Sequence, residues 1–259
     1  MKILVSNDDG IQADGLVELA KALRELGEVT VVAPALPQSG KGHSMTLFET
    51  VKVERRSFPD GIEAYALWGT PRDCVDLGLD LFCPDADLVV TGINEGRNIC
   101  NDCVASGTVG GATRAFQREK PAVAVSLDFG REYNYARAAR QVLPVIKWYC
   151  SLDGNRNYLL NVNIPNAEEI KGVKFCDNGG KHTYDISYEK IYDDGRNMTF
   201  AVSYDAGPFR TAMAEDLEHD MYALKEGYMV VSPQDDNLVR KDMLEPLRKQ
   251  WSKSTKNTD

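Results

Sequence analysis

Four polar clusters in this chain carry residue types that can do chemistry. They are Asn7-Asp8-Asp9-Gly10, Gln38-Ser39-Gly40-Lys41-Gly42-His43-Ser44, Gly92-Ile93-Asn94-Glu95-Gly96-Arg97-Asn98 and Ser106-Gly107-Thr108. Adjacent carboxylates such as Asp8 and Asp9 repel unless a cation sits beside them. A divalent ion is the economical answer. Oxygen donors from Asp, Asn and Ser suit hard Mg²⁺ or Mn²⁺ rather than a thiolate-seeking metal. A small protein ligand set leaves positions for water and substrate. Ser106-Gly107-Thr108 opens a helix-compatible run and offers N–H groups, two hydroxyls and the positive dipole end, an anion site that favours phosphate. A metal beside a phosphate cradle implies phosphoryl-group chemistry. Taken singly, each cluster is better read as a turn or a helix cap. Their arrival at successive strand ends is what favours a site.

The elements that must position these clusters alternate between strand and helix. Ile3-Leu4-Val5 is a short apolar run. Leu16, Leu19, Ala20, Leu23 and Leu26 then recur at helical spacing, with Gly27 as a stop. The β-branched run Val29-Thr30-Val31-Val32-Ala33 ends at Pro34, Leu88-Val89-Val90 ends at Thr91-Gly92, and Ala122-Val123-Ala124-Val125 ends at Ser126-Leu127-Asp128. Residues 107–117 are rich in small side chains and compatible with a helix. Strands apolar throughout, with helices between, predict a doubly wound, mainly parallel sheet covered on both faces. Loops after the carboxyl ends of such strands converge on one crevice.

The second half is less regular. A helix is expected over 133–150, kinked or divided at Pro144. Strands are expected over 158–164 and 228–232. Those over 173–176 and 198–204 flank a polar stretch and suggest a hairpin arm. An amphipathic helix over 238–251 precedes a frayed tail, 252–259. We read a single domain over 1–259, with a Rossmann-like catalytic core over 1–130 and an extension over 131–251.

Composition narrows the function classes. The 259 residues are 43% hydrophobic and 27% charged, an ordinary globular balance that excludes disorder and a disulfide mini-scaffold. Lys+Arg 30 against Asp+Glu 39 gives a net charge of -9. That field disfavours nucleic-acid duplexes and anionic membranes but admits a small phosphorylated substrate beside a metal. With no targeting or spanning segment visible, the six cysteines are expected as reduced thiols in a cytoplasmic protein.

Five ordered motifs carry a specific resemblance. These are Ile3-Leu4-Val5-Ser6-Asn7-Asp8-Asp9-Gly10, the Ser39 loop with Gly42-His43-Ser44, Gly69-Thr70-Pro71 with Asp73-Cys74-Val75, Gly92-Ile93-Asn94 with Gly96 and Asn98, and Ser106-Gly107-Thr108-Val109. Together they resemble the survival-protein SurE family of metal-dependent 5′/3′-nucleotidases. The motifs cover residues 1 to about 128. A weaker match runs from Asp220 through Glu226-Gly227-Tyr228 to Ser232-Pro233. The resemblance implies that Asp8, Asp9, Ser39 and Asn94 hold one divalent ion per subunit. It implies that Asn98, Ser106, Gly107 and Thr108 contact phosphate. It also implies a homodimer or homotetramer that exchanges a hairpin arm and a C-terminal helix; the 173–204 stretch and the last helix are the matching segments. The implied reaction is hydrolysis of a nucleoside 5′- or 3′-monophosphate, with Asp8 or Asp9 orienting or deprotonating the water. His43 is a candidate acid.

The chain departs from that family where Asp14 replaces a usual proline and Ala105 a usual tyrosine. Arg97 and Glu95 put charges inside the Asn94 loop, and a solvated arginine is the default expectation. Cys100 and Cys103 form one C-x-x-C without the further ligands a zinc site needs. They are expected as ordinary thiols in an exposed loop. The rival reading is a nucleotide- or metal-binding regulatory module without turnover. A phosphorylated signalling switch lacks its aspartate, since Asn94 stands there. A dinucleotide oxidoreductase lacks its glycine-rich turn. The residues do not rank nucleobases, 5′ against 3′ esters, or Mg²⁺ against Mn²⁺.

Overall fold

The computed structural model describes residues 1–179, 185–205, 216–237 and 244–249. In chain order the elements are β1 (Lys2–Ser6), α1 (Asp14–Leu23), β2 (Glu28–Pro34), β3 (Val53–Arg56), β4 (Glu63–Leu67), α2 (Pro71–Leu77), β5 (Leu88–Glu95), α3 (Gly107–Gln117) and β6 (Ala122–Leu127). They continue with α4 (Tyr135–Cys150), β7 (Leu159–Ile164), β8 (Val173–Phe175), β9 (Asp185–Asp193), β10 (Met198–Asp205), α5 (Asp220–Lys225) and β11 (Met229–Gln234).

One nine-stranded sheet has the order β3-β4-β2-β1-β5-β6-β7-β11-β8. The run from β4 to β7 is parallel throughout, β3 and β11 pair antiparallel to their inner neighbours, and β8 pairs parallel with β11. Apolar residues on both faces explain the inner strands. Ile3 and Val5 belong to the cluster that α1 and α4 complete, whereas Leu4 belongs to the cluster on the side of α2 and α3. Such fully buried aliphatic side chains each contribute about 1.5–3 kcal/mol. The chain leaves β1 toward β2 on one side and resumes at β5 on the other. The topological switch therefore lies between β1 and β5, where a doubly wound sheet opens its crevice.

Three features differ from the sequence expectation. The edge strand β3 (Val53-Glu54-Arg55-Arg56) is too short and too charged to announce itself, and its antiparallel pairing with β4 closes one side of the sheet. The hairpin arm exists, but β10 pairs with β9, while 173–175 joins the main sheet beside β11. Pro144 sits inside α4 without dividing it. Of the helix expected over 238–251, residues 244–249 are helical; its remaining residues, and the tail 252–259, lie outside the described residues.

Candidate active site

The site is built on the carboxyl ends of β1 and β5 and the first turn of α3. Asp8 follows β1 directly and is 3% exposed. Its backbone carbonyl accepts the Gln38 N–H at 2.7 Å, which draws the Ser39 loop onto the same end of the sheet. Asn7 closes the turn, exchanging hydrogen bonds with Gly10 at 3.0 and 3.2 Å. The Thr108 hydroxyl donates to Asp8 Oδ1 and lies 3.4 Å from Asn94 Oδ1. Asn94 Nδ2 donates to the Gly96 carbonyl at 2.7 Å, which turns the amide oxygen toward the Thr108 hydroxyl. Asp9 Oδ2 accepts the Glu95 N–H at 3.2 Å. Asp8, Asp9, Asn94 and Thr108 are thus linked, although 100 positions separate the first from the last.

α3 can approach this closely because residue 107 is glycine. A Cβ there would stand 2.7 Å from Asp8 Cβ and 2.8 Å from Asp8 Oδ2. Ser106 is the N-cap, its hydroxyl accepting the Val109 N–H at 3.1 Å. The Thr91 hydroxyl donates to the Thr108 carbonyl at 2.7 Å and fixes the first turn against β5. The backbone N–H groups of Gly107 and Thr108 act on the Asp8 carboxylate. The cradle expected for phosphate is therefore directed partly at Asp8.

Electrostatics identify the strained pair. Burial pushes the Asp8 carboxyl up, against the opposing effect of hydrogen bonds from Thr108 and Gly107. Burial and the neighbouring Asp8 charge push Asp9 up to about 7. Two crowded carboxyls that resist ionisation, with an amide oxygen turned toward them, form an all-oxygen donor set that fits a hard divalent cation. Among the described residues no group of three or more His, Cys, Asp or Glu side chains is arranged for a metal. This centre combines two carboxylates with neutral oxygens instead.

A cleft of about 560 Å³ opens over these groups, within the ordinary size range of small-molecule sites. Its polar lining includes Asp8, Ser39, Asn94, Asn98 and Ser106. Ala105, Phe129, Ile186 and Tyr204 supply an apolar wall. Ile186 and Tyr204 are cross-strand partners on β9 and β10, so the arm reaches the cleft. Ser39 is exposed on the cleft wall. Gly107 and Thr108 lie behind Asp8 and are buried.

Asp73 secures the Ser39 loop. Its carboxylate accepts the Thr46 N–H and hydroxyl at 2.9 and 2.6 Å, while also completing a capping box with Thr70. Burial works to raise this carboxyl, but the hydrogen bonds from Thr46 and Thr70 outweigh it and the net shift is downward.

Several sequence expectations change here. Arg97 is not a solvated loop arginine. Its side chain is 5% exposed, pairs with Asp128 at 3.0 Å and lies over the Phe129 ring. Cys100 and Cys103 do not sit in an exposed loop. Both are buried, and burial pushes both thiols up, Cys103 to about 12. They are protonated at neutral pH and poor nucleophiles. His43 is exposed and is not among the cleft-lining residues. Partial burial and the Arg72 charge lower its pKa, which disfavours the protonated form. Sequence reading missed Ser126, Asn161 and Asn163, which bond to Asn98 from the buried strands β6 and β7. Their signal was visible as polar side chains interrupting Leu159–Ile164 at every second position.

Fold and site together define a doubly wound α/β protein with an acidic, oxygen-rich cleft at its topological switch. The chain belongs to the SurE family: the family described as "Survival protein SurE" matches residues 3–185. The 5'-nucleotidase SurE of Clostridium botulinum (strain Kyoto / Type A2) is 36% identical over 250 residues, which span 95% of this chain and 97% of the relative. That of Alkaliphilus metalliredigens (strain QYMF) is 35% identical over 238 residues, spanning 90% and 92%. The crystal structure of the SurE protein from Aquifex aeolicus matches with a TM-score of 0.80 at 31% identity, over 96% of this chain and 99% of that one.

Proposed function

We propose that the protein is a metal-dependent nucleotidase that hydrolyses nucleoside 5′- and/or 3′-monophosphates to nucleoside and phosphate. The observation that carries this reading is the convergence of Asp8, Asn94 and the α3 N-terminus on one cleft. The names of the relatives support the 5′ ester.

Asp8, Asp9, Ser39 and Asn94 would hold one Mg²⁺ or Mn²⁺ per subunit. The chemistry supplied by such an ion is charge neutralisation at the phosphoryl oxygens and a nucleophilic water at neutral pH. Asp8 or Asp9 would orient that water or take its proton. Asn98, Ser106, Gly107 and Thr108 would hold the remaining phosphate oxygens, where N–H donors and the helix dipole oppose the growing negative charge. The apolar wall of Ala105, Phe129, Ile186 and Tyr204 faces the organic part of the ester.

Residues 1–130 carry the proposed chemistry, and the extension over 131–251 serves assembly in the same reading. Exposed Tyr188, Ile191, Phe200 and Val202 on the arm support exchange between copies in a homodimer or homotetramer. No helix among the described residues is long and apolar enough to cross a membrane. Free buried thiols support a cytoplasmic setting.

The test is phosphate release from a panel of 5′- and 3′-nucleoside monophosphates by metal-stripped protein, with Mg²⁺ or Mn²⁺ restored. Metal-dependent release that Asp8→Asn and Asn94→Ala both lose is the expected result. Folded, metal-binding protein without turnover on any ester would refute the reading.

A further inference from the structure

We infer that Asn163 is a positioning residue for the proposed phosphate site, acting through a two-point clamp on the backbone of Asn98. The inference rests on the nucleotidase reading above. Asn98 N–H donates to Asn163 Oδ1 at 2.7 Å, and Asn163 Nδ2 donates back to the Asn98 carbonyl at 2.9 Å. One side-chain amide therefore satisfies both backbone polar groups of a loop residue 65 positions away. Asn161 Nδ2 gives the same carbonyl a second amide donor at 2.8 Å. The Asn98 side chain is tethered as well, its Nδ2 donating to Ser126 Oγ at 2.9 Å.

The placement follows from sheet register. β6 and β7 are central parallel neighbours, with Ser126 opposite Asn163 and Ala124 opposite Asn161. Asn161 and Asn163 are two positions apart, so they share a face, while Leu160, Val162 and Ile164 fill the core on the other face. Asn161, Asn163 and Ser126 are each no more than 1% exposed. Buried polar side chains destabilise a strand unless they find partners. Asn161 and Asn163 bond the Asn98 backbone and Ser126 accepts from its side chain, so the sheet gives up aliphatic packing here for bonds to Asn98. The clamp leaves one Asn98 amide hydrogen and its Oδ1 outside the bonds described, on a residue that lines the cleft with Ser106. Asn94, on the metal side of the same loop, is fixed separately through Gly96. A broken clamp should therefore loosen the phosphate side of the loop and spare the metal side.

The test compares wild type, Asn163→Asp and Ser126→Ala. Asn163→Asp keeps the acceptor for the Asn98 N–H but turns the second bond into an oxygen–oxygen contact. Inorganic phosphate affinity, measured by calorimetry on Mn²⁺-loaded protein, should fall at least tenfold in Asn163→Asp and about threefold in Ser126→Ala. KM for a nucleoside 5′-monophosphate should rise in step. Mn²⁺ affinity in phosphate-free buffer should stay within twofold of wild type. Amide hydrogen exchange across 96–99 should accelerate at least tenfold, with α3 still protected. Should Asn163→Asp fail to fold, Asn163→Ser, which removes both bonds of the clamp, takes its place. Phosphate affinity and exchange within twofold of wild type would overturn the clamp. Equal losses of phosphate and Mn²⁺ affinity would also overturn it, because they would mean that the whole loop had collapsed. Absence of turnover in wild type would refute the nucleotidase reading alone, since the phosphate and exchange measurements still decide the clamp.

Discussion

Replacing Asp9 by asparagine should stabilise the metal-free protein and abolish its activity. Asp9 is pushed from 3.8 to about 7, chiefly by burial and then by the Asp8 charge. Ionising it in the folded chain therefore costs up to about 4 kcal/mol relative to the unfolded chain. Water entering the open cleft screens part of that, so about 1–2 kcal/mol should be realised. A carboxyl raised in the folded state destabilises as pH increases. The penalty is absent below 3.8, grows between 3.8 and about 7, and is full above 7. Asparagine retains an oxygen to accept the Glu95 N–H. In EDTA at pH 8, Asp9→Asn should therefore melt about 2–8 °C above wild type, at about 2–4 °C per kcal/mol. The difference should shrink toward zero near pH 4. With Mg²⁺ the order should reverse, because ion at about a hundredfold over Kd stabilises the wild type by about 2.7 kcal/mol. Scanning calorimetry of both proteins, with and without metal, reads every arm. A variant that melts at or below wild type in EDTA at pH 8 would refute the reasoning.

The same raised carboxyls predict that Mn²⁺ affinity falls as pH drops below about 7, with about one proton displaced per ion; calorimetry in buffers of different ionisation enthalpy measures both. Gly107→Ala should lose metal affinity and activity by at least about a hundredfold despite its better helix propensity, because the new methyl meets Asp8 at 2.7 Å; equilibrium binding and turnover check this. Asp73→Ala should cost about 1–3 kcal/mol by denaturant titration and expose the 38–46 loop to proteolysis, since Thr46 and Thr70 lose their shared acceptor. Because Asp73 is held below its ordinary value, its contribution is full above 3.8 and is lost as pH falls through the folded value. Cys100 and Cys103 should resist a thiol reagent at pH 7.5 in the native protein and react at once in denaturant, as mass spectrometry would show.

Much of the site was legible before any fold was drawn. Asp8-Asp9, Asn94 and Ser106-Gly107-Thr108 stand at the ends of apolar runs or at the start of a helix, and strand and helix periods are local properties of a chain. Parallel strands with helices between them leave few ways to wind, so the convergence of their carboxyl-end loops follows from the pattern. The short, charged edge strand β3 gives no comparable periodic signal. The arm is legible as an arm but its pairing is not, because two short strands around a polar stretch do not say which neighbour completes them.

Tertiary structure alone decided the partners of the polar groups. Nothing in the composition of the Asn94 loop distinguishes a solvated Arg97 from one buried against Asp128 and Phe129. Asn161 and Asn163 look like flaws in a buried strand until register places them beneath Asn98. Cys100 becomes inert only when the fold buries its thiol and brings the Asp220 carboxylate beside it, 120 positions along the chain. Local sequence sets which side chains must be buried, through periodicity and apolar area. Hydrogen bonding then requires each buried polar atom to find a partner, and strand order and register determine which one it meets.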